Sequence, residues 1–374
     1  MIKSFEINEL LCVARRENNT KRSFLYVCPY QGKHMPVSPL RSMDLFAELA
    51  ERVRQRYPDE KILVIGFAET ATAIGSALAY FHENVTAFMT TTRENVDGAE
   101  YLYFTESHSH AAEQRLTVNG LEQYLAAADR IVFAEDEVTT GNTIEKLIRV
   151  LRETFPQIPM QFGIASVLNS MEDARLQEFA ERGIICTFIA HIPFAYRTDE
   201  IRNYKYEPLL KEPAKPSAIK IDRIRLESAW NPRLITDMEQ VRSQCSSLIQ
   251  QASDALGTLP EHLLVLGTEE CMFPGILLGA SLEQKGYSVR FHATTRSPID
   301  ISLNEQYPLH RRFPLQSFYD PERRTFIYNL KAYDAVIVVT DAAGNISAGV
   351  ESLAGALEAC GNTHMILVQW STKE

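Results

Sequence analysis

The chain of 374 residues lacks the patterns that several large functional classes require. Its six cysteines include no Cys-x-x-Cys pair, which argues against a zinc site and a disulfide framework and favours a reducing cytosol. No apolar run approaches the roughly 18–20 residues that cross a bilayer, and the N-terminus lacks the apolar core of a signal peptide. We therefore expect a cytoplasmic protein with no membrane partner.

The chain also lacks an excess of positive charge, since its net charge is −10. Nucleic acid attracts clustered Lys and Arg, so no nucleic-acid partner is expected. Walker-A and Gly-x-Gly-x-x-Gly patterns are absent, which disfavours P-loop NTPases and dinucleotide oxidoreductases. The composition, 45% hydrophobic and 23% charged, is that of an ordinary globular protein, and the length predicts two domains.

Strand and helix patterns alternate through the first part of the chain. Short apolar runs predict strands at 62–66, 85–89, 130–134, 162–167 and 184–189. Apolar residues at helical spacing predict helices around 74–81 and 144–151. Such alternation predicts an α/β fold with a parallel sheet covered by helices, whose ligands bind at the carboxyl ends of the strands.

The second half repeats features of the first. A proline-containing stretch without periodicity predicts a linker at 206–219, between a first domain at 1–205 and a second α/β domain at 220–374. Four patterns then recur in the same order, at 63–66 and 264–267, 91–93 and 294–296, 128–132 and 333–337, and 141–142 and 344–345. Their order favours a second domain that is a degenerate repeat of the first; two unrelated α/β domains with similar strand–glycine–helix patterns remain the alternative.

Residues 131–143 carry the strongest chemical signal, an apolar strand followed by two acids and a loop that opens a helix. Helix N-termini have unpaired N–H groups and partial positive charge, so they favour phosphate. Ionised carboxylates such as Glu135 and Asp136 only accept hydrogen bonds, which suits a vicinal diol. The loop offers hydroxyl donors and a glycine that permits close approach, at Thr139, Thr140, Gly141, Asn142 and Thr143. We therefore predict a ligand with a ribose diol beside a 5′-phosphate.

This segment resembles the motif by which type I phosphoribosyltransferases bind 5-phosphoribosyl 1-pyrophosphate (PRPP): an apolar strand, two acids and a Thr-Thr-Gly-x-Thr loop. Glu137 departs from the motif, which usually has an apolar residue there. The resemblance implies that the loop holds the 5′-phosphate. It also implies that Glu135 and Asp136 hold the ribose and stabilise its developing positive charge.

The same resemblance implies roles for residues outside that segment. The turn after the first strand would cradle pyrophosphate through its backbone N–H groups, at Gly66, Phe67, Ala68, Glu69 and Thr70. Arg93 follows the second strand and would hold pyrophosphate; a surface arginine is the alternative. His108 and His110 lie where the family has a mobile loop, and either contact pyrophosphate, move a proton or are plain loop histidines.

Further residues are similar to those of one family, the phosphoribosyltransferases fused to a TRSP domain that occur in bacterial tellurite-resistance and stress-response gene neighbourhoods. They are Arg15, Arg16, Asn19, Lys21, Arg22, the Gly-Lys-His triplet at 32–34 and Thr-Arg-Ser-Pro at 295–298. The resemblance implies an orotate-phosphoribosyltransferase-like core, Mg²⁺ bound through PRPP, and PRPP with an unidentified base-like acceptor as substrates. It also implies a nucleoside-like product. A homodimer and other stress-operon proteins stay open as partners, and Lys33 and His34 form either part of an N-terminal hood over the base or a structural turn.

The second half is expected to lack a PRPP site of its own. Its loop at 340–345 keeps one acid and lacks the paired threonines, so we predict one catalytic site per chain. A second pocket for a phosphorylated or acidic ligand is expected at Thr295, Arg296, Ser297, Asp341 and Gly344. Pairing of Arg296 with an interdomain acid is the alternative. For the whole chain, a non-catalytic PRPP or nucleotide sensor is the rival to an enzyme.

Overall fold

The computed structural model describes residues 5–17, 22–69, 71–104, 114–192, 198–210, 212–216, 218–228 and 230–371. The chain forms two compact units. The first contains Asp44–Tyr196 and Trp230–Gln244, and the second contains Phe5–Met43, Arg197–Ala229 and Cys245–Glu374. The N-terminal segment thus packs within the second unit. The linear domain division at 206–219 stays a prediction.

The bounds of the elements follow the chain. The helices are α1 (Ile7–Leu10), α2 (Pro39–Arg56), α3 (Ala71–Phe81), α4 (Leu121–Ala127), α5 (Asn142–Thr154), α6 (Asp173–Glu181), α7 (Met238–Leu256), α8 (Phe273–Gln284) and α9 (Ser347–Glu358), with a 3-10 helix at Thr198–Asn203. The strands are β1 (Cys12–Arg15), β2 (Phe24–Val27), β3 (Ile62–Gly66), β4 (Val85–Thr90), β5 (Tyr101–Tyr103), β6 (Arg115–Thr117), β7 (Arg130–Val138), β8 (Phe162–Asn169), β9 (Ile185–His191), β10 (Lys220–Glu227), β11 (Thr236–Asp237), β12 (His262–Gly267), β13 (Ser288–Ala293), β14 (Arg312–Gln316), β15 (Arg324–Tyr328), β16 (Ala335–Thr340) and β17 (His364–Ser371). None of the described helices is both long and apolar enough to span a bilayer.

The first unit is built on a six-stranded sheet with the order β11-β4-β3-β7-β8-β9. All neighbours are parallel except β11, which pairs antiparallel with β4. Every residue of β3 and β8 is buried, as expected for strands covered on both faces. The helix α3 packs against β3, β4 and β7, and its glycine and alanine residues allow a close approach: a Cβ at Gly75 would lie 2.8 Å from the Cα of Gly66.

The second unit contains a five-stranded, all-parallel sheet with the order β10-β17-β16-β12-β13. The strands predicted near 263–266, 289–292 and 336–339 are neighbours in it. Its run β13-β12-β16-β17 repeats the run β4-β3-β7-β8 of the first unit, because in each run the strand that comes first in the chain lies between the second and the third. The predicted fold class, two α/β domains with parallel sheets, is confirmed.

The N-terminal strands belong to an apolar cluster of the second unit. Ala14 of β1 and Leu25 of β2 pack with buried residues such as Ile299 and Tyr328. Arg15 forms an ion pair with Asp300, which anchors β1 at the same place. This packing explains why residues 5–43 join the second unit although they precede the first unit in sequence.

Candidate functional site

The carboxyl end of β7 extends past its neighbour β3. The strand β3 pairs with β7 only as far as Ala134, whereas β7 continues beside β8 to Val138. The strand predicted to end at 134 is therefore longer, and it contains both acids. Glu135 and Asp136 are half-buried and lie beyond the end of β3, at the edge where ligands of parallel sheets bind.

The acidic side chains lie close to their own backbone. The N–H of Asp136 donates to Oε2 of Glu135 at 3.2 Å, and the N–H of Glu137 donates to Oδ1 of Asp136 at 2.9 Å. Glu137, the departure from the family motif, lies opposite Leu168 of β8 and accepts a 3.5 Å hydrogen bond from Ser170 Oγ. The edge therefore concentrates carboxylates, which suits hydroxyl donors or a cation.

The loop after β7 turns at Gly141, whose φ of 73° is in the left-handed region. A Cβ at this position would lie 2.7 Å from both Met171 Cε and Phe179 Cζ, so packing and conformation both require glycine. The helix α5 begins at the next residue, and its first N–H groups have no intrahelical partners. Thr139 is half-buried and Thr140 is exposed, so the loop offers hydroxyl and N–H donors to an anion. The other two predicted loop residues, Asn142 and Thr143, are exposed in the first turn of α5.

Arg175 of α6, which sequence reasoning missed, fixes this loop. Its Nε donates to the carbonyl of Thr140 at 3.1 Å, and its guanidinium also contacts Glu145 of α5. Burial opposes the ionisation of Glu145, but hydrogen bonds from Arg182 and Arg175 outweigh it and lower its pKa. The loop is thus tied to a charged network on the two helices that flank it. Only the three-dimensional approach of α6 reveals this.

The turn after β3 is tied to the segment after β4. The N–H of Thr91 donates to the carbonyl of Gly66 at 2.9 Å, and the N–H of Ala68 donates to Oγ1 of Thr91 at 2.9 Å. Phe67 is buried, and Glu69 is 9% exposed and follows a cis peptide bond. Thr70 lies outside the described residues. These bonds hold the backbone of the turn beside the start of the segment that carries Arg93.

Two further contacts support this turn and Arg93. Gln114 Nε2 donates to the carbonyl of Ala68 at 3.1 Å, a contact that no sequence signal indicated. Thr92 and Arg115 exchange backbone hydrogen bonds of 2.9 and 3.1 Å, which fixes the neighbour of half-buried Arg93. His108 and His110 lie outside the described residues, so their roles stay predictions.

The carboxyl edge of the second unit has the corresponding positions. Register with β12 places Thr340 and Asp341 where the first unit has Glu135 and Asp136, and Arg296 where it has Arg93. Arg296 and Gly344 therefore follow the ends of β13 and β16, the two strands on either side of β12, at one edge of the sheet, as the repeat predicts.

Side chains of the second unit neutralise each other at this edge. Arg296 donates to Glu269 at 3.0 Å and to Glu270 at 3.3 Å. Glu269 has no exposed surface and also accepts hydrogen bonds from Arg323 at 3.0 Å and Ser317 at 2.6 Å. The described acid partners of Arg296 thus belong to its own unit. That Thr295, Arg296 and Ser297 face a ligand stays a prediction.

Asp341 has an internal partner in the second unit, and the predicted hood residues are buried there. Tyr319 donates its hydroxyl to Oδ1 of Asp341 at 2.6 Å. Lys33 and His34 are buried at 8% and 4% exposure, and burial, followed by the charge of Lys33, holds the pKa of His34 well below its usual value. That Lys33 and His34 form either part of a hood over the base or a structural turn stays a prediction.

Comparison with protein families gives two adjoining matches. A family model described as phosphoribosyl transferase matches residues 10–192. A second, described as the TRSP domain C-terminal to that transferase, matches residues 233–357. No curated protein matches the chain.

Several solved structures resemble part of the chain. The adenine phosphoribosyltransferase from Rhodothermus marinus is 12% identical with a TM-score of 0.33, over 50% of this chain and 96% of that one. The enzyme from Giardia lamblia, complexed with 9-deazaadenine, is 12% identical with a TM-score of 0.34, over 50% and 95%. A hypoxanthine-guanine phosphoribosyltransferase from Bacillus anthracis is 14% identical with a TM-score of 0.25, over 43% and 91%.

Proposed function

We infer that this chain, which belongs to the phosphoribosyl transferases that carry a TRSP domain C-terminal to the transferase, is a PRPP-dependent enzyme. It is a phosphoribosyltransferase, and its proposed reaction transfers ribose 5-phosphate to a nitrogenous base or base-like acceptor with release of pyrophosphate. The observation that carries the proposal is the extension of β7, which puts Glu135 and Asp136 beside the turn after β3.

The proposed reaction breaks the bond between C1 of the ribose and pyrophosphate and forms a bond from C1 to an acceptor nitrogen. The sugar becomes cationic on the way, so fixed carboxylates nearby stabilise the transition state. Glu135 and Asp136 take this role and hold the diol. The loop at 139–143 holds the 5′-phosphate, and the turn at 66–70 with Arg93 holds the leaving pyrophosphate. Positioning by these groups lowers the entropic part of the barrier.

We propose that Mg²⁺ binds through oxygens of PRPP. Hard cations prefer oxygen ligands and keep several waters, so few protein ligands are needed. Glu135 and Asp136 hold the diol in this proposal, and the ion would take its ligands from oxygens of PRPP and from water. Among the described residues, no three His, Cys, Asp or Glu side chains are grouped to hold an ion by themselves. When bound, the ion offsets negative charge on the pyrophosphate.

The wider context is also a proposal. The six cysteines are free, which supports a reducing, cytoplasmic location. The TRSP match supports the family resemblance, on which we base the proposal of an association with tellurite-resistance and stress operons and of a nucleotide or nucleoside-like product. A homodimer and partners from the same operon are the assemblies we would examine first.

Pyrophosphate release tests the function. The full chain is incubated with PRPP, Mg²⁺ and a panel of nucleobases and related heterocycles, and pyrophosphate is followed by a coupled assay. We expect release with at least one acceptor. PRPP binding in calorimetry without release for any acceptor would favour the non-catalytic sensor. If the chain does not bind PRPP and releases no pyrophosphate, both the enzyme and the sensor hypotheses are wrong.

A further inference from the structure

A cavity of about 1390 Å³ lies at the amino edge of the sheet of the second unit. Its wall includes His262 and Ser288, which are the first residues of β12 and β13. The segments next to the open end of the β14–β15 hairpin, at 308–311 and 329–334, form another part of the wall. Ligands of parallel sheets normally bind at the opposite, carboxyl edge. The cavity is therefore not the counterpart of the PRPP site.

The wall of this cavity carries a net positive charge. Arg290, Arg311 and Lys331 contribute to the wall, and within the described part of the chain none of them forms an ion pair with a carboxylate. Asp334 is the acid among the described lining residues, and its Oδ2 already accepts the N–H of His262 at 3.0 Å. In a chain with a net charge of −10, three such cations around one space indicate an anionic ligand.

Two asparagines hold the cation-bearing loops in place. Asn329 has a φ of 48°, and its Oδ1 accepts the N–H of His310 at 2.8 Å and that of Arg311 at 3.3 Å. Asn362 is 1% exposed; it accepts the N–H of Tyr333 at 2.9 Å and donates to the carbonyl of Lys331 at 3.0 Å. Backbone fixed in this way is preorganised, so little entropy is lost when a ligand binds.

Apolar and aromatic surface lies next to the cations. Leu303 is 69% exposed, an unusual state for a large aliphatic side chain, and it lines the cavity with Tyr333, Leu330 and Pro308. A ligand that matches the wall combines an anionic group with a flat, largely apolar part. Three cations are too few for the extended basic stripe that nucleic acid needs. The concave wall instead fits a small molecule.

We propose that this cavity binds a phosphorylated nucleoside. Its phosphate lies against Arg290, Arg311 and Lys331, and its base packs on Tyr333 and Leu303. The site is separate from the PRPP site of the first unit and does not depend on catalysis there.

Binding of adenosine 5′-monophosphate (AMP) to the full chain tests the proposal. AMP also resembles a transferase product, so a reporter within the cavity is needed. Cys360 is half-buried in the wall, 3.5 Å from Arg311. AMP should slow alkylation of Cys360, as measured by peptide mass spectrometry, and adenosine should not.

In the variant Arg290→Gln/Lys331→Gln, the AMP concentration that gives half-maximal protection of Cys360 should rise at least tenfold. Both side chains are exposed, so the fold should be retained. Lys285→Gln removes an exposed lysine of the same unit outside the cavity and should leave protection unchanged. Absence of protection, equal protection by adenosine, or protection unchanged in the double variant would overturn the proposal. Equal protection by inorganic phosphate would overturn the nucleoside assignment, as would protection only by an oligonucleotide or an acidic peptide.

Discussion

The carboxyl edges of the two sheets share a backbone framework and differ in the side chains placed on it. In each unit a threonine after the second strand accepts the N–H of the second residue beyond the strand-ending glycine. Thr91 accepts from Ala68 at 2.9 Å, and Thr294 accepts from Glu269 at 3.0 Å. The N–H of each threonine donates to the carbonyl of that glycine, at 2.9 and 3.0 Å. Fold and ligand chemistry are therefore separable here: backbone bonds specify the turn, and side chains decide what it binds.

The side-chain difference is largest at two positions. Where the first unit has Ala68, the second has Glu269, a fully buried carboxylate with a φ of 47° that accepts hydrogen bonds from Arg296 and Arg323. Where the first unit has Glu135, the second has Thr340. The second edge thus satisfies its own charges and lacks the adjacent acids. This difference supports our proposal that phosphoribosyl transfer takes place in the first unit alone.

The largest expected effect is the difference in turnover between variants of Asp136 and of Asp341, the acids at equivalent positions in the two units. Asp136→Asn keeps the shape but removes charge beside the sugar cation, so turnover should fall on the order of 10²-fold or more. Asp341→Asn, the matched change in the second unit, should leave turnover within about twofold. Pyrophosphate release measures both. Equal losses of turnover in the two variants would contradict the proposed difference between the two units.

Replacing the equivalent arginines, Arg93 and Arg296, should affect different properties, turnover in the first case and stability in the second. Arg93→Ala removes the cation that we propose holds pyrophosphate, so turnover should fall about 10- to 100-fold with little loss of stability. Arg296→Ala leaves Glu269 buried with one cationic partner fewer, which should lower the free energy of unfolding by about 3 kcal/mol. Urea unfolding and turnover of each variant distinguish the two. A stable Arg296→Ala protein would show that the ion pairs contribute little.

The two loop glycines, Gly141 and Gly344, should differ in how much their replacement by alanine destabilises the protein. Gly141 and Gly344 both have a φ near 74°, but only a Cβ at Gly141 meets neighbouring side chains within 3 Å. Gly344→Ala should cost about 1–2 kcal/mol for its left-handed backbone alone. Gly141→Ala should cost about 2–4 kcal/mol because of the added clash. Thermal unfolding of both variants checks the order, and equal costs would contradict the packing described around Gly141.

The smallest effect is a pH dependence that both units share. Burial lowers the pKa of His82 in the first unit to about 4 and lowers that of His292 in the second. The pKa of histidine in an unfolded chain is about 6.5. Below that pH the unfolded chain binds more protons than the folded chain, so the free energy of unfolding falls as the pH falls. His82 Nδ1 also accepts the N–H of Asn84 at 3.2 Å, a contact that its protonation removes.

Replacing these histidines should flatten that dependence. Urea unfolding of His82→Gln and His292→Gln at about pH 7.5 and about pH 5 should show a smaller stability difference than the unchanged chain, by about 1 kcal/mol for His82→Gln. His310→Gln, at an exposed position of the second unit, is the control. Parallel pH curves for all variants would place the acid sensitivity elsewhere.

Much of the fold could be predicted from sequence because parallel strands are continuous apolar runs. The strands at 62–66 and 85–89 and the repeat in the second sheet all follow that pattern. The end of β7 could not be placed, because Glu135 and Asp136 look like the start of a loop although β8 keeps them in a strand. The placement of residues 5–43 in the second unit depends on packing between distant segments, for which one sequence carries no signal.

The part of the candidate site that lies within one short segment could be predicted from the sequence. The acids and the loop glycine all lie within residues 135–141, so their pattern is visible in the sequence. Gln114 and Arg175 could not be found in this way, because each acts on a backbone carbonyl more than thirty residues away. The ion pairs of Arg296 were hidden for the same reason, since Glu269 and Glu270 precede it by a whole helix and strand.

The number of PRPP sites per chain tests the central claim most directly. Isothermal titration of PRPP with Mg²⁺ into the full chain should give one site. That site should persist in Asp341→Asn and weaken at least tenfold in Asp136→Asn, since loss of one charge-assisted contact of about 1.4 kcal/mol is a factor of ten. Two sites per chain, or a single site lost in Asp341→Asn and kept in Asp136→Asn, would contradict the assignment of transfer to the first unit.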